Sequence, residues 1–132
     1  MKNSNKKFRS KFVKYNIFRS FKYAFEGVLY IFQREKNVWF QMFAGLTLVT
    51  ISLILKNNVF ASLHLVLMLF TISQEMMNTA LEELCDHIEP NYNLAIKTIK
   101  DVAAASVLVG AFAWIFVIIY QLLLIFGILK SF

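Results

Sequence analysis

The sequence predicts an all-α integral membrane protein: one amphipathic helix in the membrane interface, followed by three spanning helices. Three observations predict it. The 132 residues are 58% hydrophobic and only 17% charged, where a soluble domain carries roughly 25% charged residues. With Gly 4 and Pro 1, the turns of an all-β fold would lack their usual residues. Ten of the fourteen Lys and Arg lie in residues 1–36, directly ahead of the apolar runs. Positive charge beside a first span holds that side in the cytoplasm. The length sets a single domain.

Residues 1–15 form a basic tail (Lys2, Lys6, Lys7, Arg9, Lys11, Lys14). Such an arm can bind nucleic acid, but hydrophobic spans follow at once, so no nucleic-acid partner is expected. Met1 to Arg9 has no apolar core with a small-residue cleavage site, so no cleavable signal is read. The domain proper covers 16–132. Over 16–34, Ile17, Phe18, Phe21, Phe25, Val28, Leu29 and Phe32 recur at helical spacing. That stripe, with basic residues elsewhere, predicts a helix lying in the interface.

The first span is expected at about 39–55 and a polar turn at Lys56-Asn57-Asn58. The second span covers 60–80, its helix extending to 88, where Glu89-Pro90 stops it. Residues 89–99 read as a polar connection and 102–129 as the third span. The charges of Lys97 and Lys100 put that connection on the cytoplasmic side with the N-terminus, and Lys56 and Lys130 outside. The third span opens with small residues, Ala103 to Ser106, then Gly110, Ala111 and Ala113, which let helices approach closely in lipid. Three helices alone bury few intramembrane polar groups, so an oligomer is expected.

The chemistry concentrates on one stretch. Of eight acidic residues, five lie in 75–89. At about 100° per residue, Glu75, Glu82 and Asp86 fall within roughly 40° of one another, with Asn78 about 60° to one side. Carboxylates at a bilayer edge are expensive and usually functional. Glu35 and Asp101 fall at the same predicted depth. Hard oxygen ligands of this kind suit Mg²⁺, which keeps waters and bridges phosphates. His64 and His87 make no zinc-like cluster. Cys85 reads as an inert thiol. Neither G-x-x-x-x-G-K-[ST] nor G-x-G-x-x-G occurs, so the common phosphate cradles are absent.

Plainer readings stand beside these. Glu75 could be a structural partner of Lys100, Lys100 a charge anchor, and Glu82 and Asp86 a solvated helix end. Glu83 and Glu89 are read as solvated. Trp39 and Trp114 read as lipid-facing or packing groups, and Met76-Met77 as helix packing. From the residues alone the chain is a small helical membrane protein with an acidic, metal-binding interfacial site. A transporter or assembly subunit with an ion site is the rival class. A transporter wants its acids near the midplane, whereas these crowd one face.

The motif Glu75-x-x-Asn78-Thr79-Ala80-Leu81-Glu82-x-x-x-Asp86, followed by Lys100-Asp101-x-Ala103-Ala104-Ala105, resembles the prokaryotic diacylglycerol kinase and undecaprenol kinase family. The likeness extends to Ser20-Phe21-Lys22-Tyr23-Ala24-x-x-Gly27 and Glu35-x-Asn37, and covers about residues 16–129. The resemblance implies a homotrimer in the bacterial cell membrane, with a cytoplasmic active site, that uses ATP and Mg²⁺ to phosphorylate a membrane-lipid hydroxyl. It implies Glu75 as general base and Glu35 and Glu82 as metal ligands. Asn78, Asp86, Lys100, Asp101 and Lys22 would position the nucleotide. The Asn78-Thr79-Ala80 form, with Lys100-Asp101-Val102-Ala103-Ala104, looks more like the undecaprenol branch than the diacylglycerol branch. The tail is longer and more basic than is usual in the family. Its two readings are binding to an anionic lipid surface and a disordered, dispensable extension.

Overall fold

A computed structural model describes residues 17–127 as four helices with no strand among them. These are α1 (Ile17–Arg34), α2 (Lys36–Ile54), α3 (Asn58–Ile88) and α4 (Leu94–Ile125). The basic tail, the end of the expected third span and Lys130 lie outside the described residues. Helices α2, α3 and α4 are each long and apolar enough to cross a membrane. The 31 residues of α3 extend about 46 Å at roughly 1.5 Å per residue, past a hydrocarbon core of about 30 Å. One end of α3 therefore leaves the apolar layer, and it is the end that carries the acids.

The chain folds into a bundle with α3 in the middle, packed on α2 on one side and on α4 on the other. Both contacts are close because each flanking helix places a glycine against α3. A Cβ added at Gly45 would lie 2.8 Å from Met68 Cβ, and one at Gly110 would lie 3.3 Å from Thr71 Cγ2. The outward faces of α2 and α4 are exposed apolar surface, including Phe40, Phe43, Val109, Phe112 and Phe116.

The loop between α2 and α3 is as tight as its polar residues predict. Lys56 takes a left-handed backbone (φ 56°), and Asn57 caps α3 by accepting from Phe60 N at 3.2 Å. The connection after α3 is shorter than expected. The sequence reads 89–99 as a polar connection, but α4 already starts at Leu94. The cause is Asn93, whose Oδ1 accepts from Ala95 N at 2.9 Å. Hydropathy marks where a helix enters lipid, whereas a cap marks where it begins. Lys97, Lys100 and Asp101 are thus on the first turns of α4.

Near the α2–α3 turn a buried polar clasp joins all three long helices. Trp114 Nε1 donates to His64 Nδ1 at 3.0 Å. An indole N–H can only donate, so Nδ1 is the acceptor and Nε2 carries the ring proton. His64 Nε2 then donates to Gln121 Oε1 at 2.6 Å. Gln121 Nε2 donates to Ser52 Oγ at 2.9 Å, and Ser52 Oγ donates to Leu48 O at 2.8 Å. His64 and Ser52 are fully buried. The sequence excludes only a zinc-like cluster at His64, and reads Trp114 as a lipid-facing or packing group. Trp114 is 7% exposed, so of those two readings it takes the packing one.

Candidate active site

The polar end of α3 displays its acids to two neighbours. Glu75 is buried, 5% exposed, and its Oε1 accepts from Asn37 Nδ2 at 2.9 Å. Asn37 is in the first turn of α2, so the start of that helix holds Glu75. The plainer alternative, a pairing of Glu75 with Lys100, does not form. Lys100 Nζ instead donates to Asp86 Oδ1 at 2.8 Å, across to α4. Between them, Asn78 Nδ2 donates to Glu82 Oε1 at 2.9 Å along one helical turn. The single stripe read from the sequence is therefore shared out. Because α3 is sandwiched, its upper carboxylate meets α2 and its lowest meets α4.

Glu35 precedes α2 and is half-buried. It does not cap the helix with its side chain, and its Oε1 lies 3.5 Å from Arg34 Nε. Asp101 pairs with Lys97 at 2.5 Å, one turn back on α4, and Lys22 pairs with exposed Glu26 at 3.7 Å on α1. Neither meets the α3 acids. Among the described residues, no group of three or more His, Cys, Asp or Glu is gathered closely enough to hold a metal unaided.

Glu83 corrects the sequence reading. Expected as a solvated charge, it is engaged from α1 by both the Tyr30 hydroxyl and the Arg34 guanidinium. Arg34 Nη1 also donates to Tyr30 Oη at 2.7 Å. That hydrogen bond, followed by the Glu83 and Glu35 charges, holds Arg34 above its ordinary pKa. Glu89, also read as solvated, is half-buried at the end of α3 and accepts from Asn91 N at 3.0 Å.

Two grooves flank the acids. One, of about 440 Å³, runs between α2 and α4 and is lined by Asn37, Gln41, Ala44, Leu48, Trp114 and Ile118 among others. Its walls are apolar except at the Asn37 end. There Gln41 Oε1 is buried with no hydrogen-bond partner among the described residues. The other groove, of about 610 Å³, lies between α3 and α4 and is lined by Asn78, Leu81, Thr98, Ile99 and Ser106 among others. Asn78 Oδ1 is likewise buried and unpartnered. Gln41 was not singled out in the sequence, and Asn37 was noted without a role. Their signal is positional: two carboxamides four residues apart share a face of an otherwise apolar helix.

The model of the prokaryotic diacylglycerol kinase family matches residues 22–122. The chain belongs to the prokaryotic diacylglycerol kinase family. It is similar to a diacylglycerol kinase of Synechocystis sp., with 34% identity over 104 residues, covering 77% of this chain and 59% of that protein. The chain thus spans well under two-thirds of that relative's length. No solved structure matches it significantly. Membership of the family agrees with the four-helix architecture and its three apolar helices, and marks the chain as a membrane protein. The matched region takes in every residue singled out above as a candidate site residue.

Proposed function

We propose that this chain is a lipid kinase that transfers the γ-phosphoryl group of ATP to a membrane-lipid hydroxyl at the cytoplasmic face. One observation carries the proposal: a buried carboxylate, Glu75, sits beside the polar end of an apolar groove and is oriented by Asn37. A soluble substrate needs no such groove. A lipid does, because its chain stays in the bilayer while its hydroxyl meets a water-soluble donor.

The reaction follows from these parts. The lipid chain lies along α2 and α4, and its hydroxyl reaches the Asn37–Gln41 end. Asn37 occupies Glu75 Oε1, which leaves Oε2 to accept the hydroxyl proton. The lipid oxygen bonds to the γ-phosphorus as the bond from that phosphorus to the bridging oxygen breaks. ADP leaves, and Glu75 returns its proton to water. Phosphoryl transfer asks mainly for in-line positioning and charge neutralisation. Lys100 reaches the α3 acids from α4 through Asp86, and Asn78 Oδ1 is an open acceptor for a nucleotide or water. Lys22 and Asp101, already paired on their own helices, carry the smallest share.

Mg²⁺ is the metal the donor set fits. Glu35 and Glu82 are half-buried carboxylates, and each has an oxygen without a partner among the described residues. Two such ligands make no closed cage, which suits an ion that keeps waters and takes phosphate oxygens. When bound there, Mg²⁺ would neutralise phosphate charge.

Undecaprenol is the proposed acceptor, on the form of the Asn78 and Lys100 motifs. Diacylglycerol is the second reading, favoured by the name of the Synechocystis relative. The subunits are proposed to form a homotrimer, and the basic tail to contact anionic lipid. The test is transfer of label from γ-labelled ATP in mixed micelles with both acceptors present. Labelled undecaprenyl phosphate is the expected product. Label mainly on diacylglycerol assigns the second reading, and label on neither overturns the kinase proposal.

A further inference from the structure

We infer that Glu83 is a positioning residue that, through Arg34 and Tyr30, sets the two carboxylates proposed as metal ligands, Glu35 and Glu82, in register. The inference rests on the kinase reading above. Its first support is that α1 is otherwise lightly held. Ile31 is its one buried residue. Besides the Glu83 cluster, the Trp39 indole N–H ties α1 to α2 by donating to Phe32 O at 2.7 Å. An element that buries so little apolar surface opens easily unless something latches it.

The second support is where the latch is placed. Glu83 adjoins Glu82 on α3, and Arg34 adjoins Glu35 at the bend between α1 and α2. The ion pair of Arg34 with Glu83, closed by the Tyr30 hydroxyl, therefore ties the backbone beside one proposed ligand to the backbone beside the other. No other ion pair among the described residues joins α1 to α3.

The third support is charge. Arg34 Nε already lies 3.5 Å from Glu35 Oε1. With Glu83 present, the guanidinium has a closer carboxylate to satisfy it. Without Glu83 it is free to close on Glu35 and compete with an incoming cation. Loss of the latch and gain of a competitor act in the same direction: both weaken divalent-metal binding.

The experiment uses the full chain in mixed micelles. Mn²⁺ binding is followed by electron paramagnetic resonance with a non-hydrolysable ATP analogue, and Mg²⁺ half-saturation and kcat are measured separately. For Glu83→Ala, the Mn²⁺ Kd and the Mg²⁺ half-saturation should each rise about tenfold, the low end for outer partners of a metal site. kcat at saturating Mg²⁺ should stay within about twofold. Adding Arg34→Ala should cost less than the sum of the two single changes, since both break one link. A Glu83→Ala protein that is folded, with metal binding and half-saturation unchanged, overturns the inference. If that variant does not fold, Glu83→Gln replaces it, with an expected rise of about threefold, the scale of one exposed ion pair. An unchanged value there overturns the inference equally. Wild type that transfers label to neither lipid fails the kinase reading. Wild type that transfers, with a metal dependence insensitive to Glu83, fails this inference alone.

Discussion

The two ends of the same three helices treat buried polar groups in opposite ways. Around His64 every side chain of the clasp is satisfied: Trp114 donates to it, it donates to Gln121, and Gln121 donates to Ser52. Around Glu75 the accounts are left open. Gln41 Oε1 and Asn78 Oδ1 are buried without partners among the described residues, and Glu75 has one amide on one oxygen. A buried polar group left unmade costs about 1–3 kcal/mol, so each one calls for a reason to persist, such as a catalytic role, an ion or a water. The difference sets two kinds of network inside one fold: the closed one holds helices together, and the open one is the proposed substrate site.

Predictions that would break this contrast run from large to small. Glu75→Gln keeps the shape and the contact with α2 but removes the proposed base. Transfer to lipid should fall by about 10²–10⁴-fold, with the unfolding midpoint in detergent little changed. His64→Leu does the reverse. It orphans the Trp114 N–H and the Gln121 carbonyl, so stability should drop by about 1–3 kcal/mol, toward the low end if the unfolded chain finds partners in the membrane. Activity per folded molecule should persist. Reversible unfolding by denaturing detergent reads the first quantity, and label transfer by the folded fraction reads the second.

Gly45→Ala tests the packing that keeps both ends aligned. Its Cβ would meet the Met68 backbone-proximal carbon at 2.8 Å, so α2 must move away. The expected loss is about 1–3 kcal/mol, measured by the same unfolding titration. Lys22→Ala should have the smallest effect. Lys22 is exposed and its partner is Glu26, so half-saturation by ATP should shift by less than about threefold, the scale of a surface ion pair.

The four helices were legible because long apolar runs and a 3.6-residue stripe leave little choice of element. The acidic ridge was legible because a period fixes which residues share a face. What the period cannot say is which neighbour each residue meets. Glu75 was weighed as a partner of Lys100, yet it meets Asn37, because α3 is flanked on both sides. Glu83 read as solvated because nothing in its own helix reveals that α1 folds back to it. The clasp joins Ser52, His64, Trp114 and Gln121, residues brought together only by tertiary packing. The start of α4 was missed because hydropathy outweighed the cap at Asn93.

The most direct test of the central claim is to measure label transfer and unfolding free energy on the same preparations of Glu75→Gln and His64→Leu. The account predicts a crossed result: Glu75→Gln stable and inactive, His64→Leu destabilised and active when folded. A Glu75→Gln protein that transfers phosphate at the wild-type rate, or one that loses activity only because it unfolds, would contradict it.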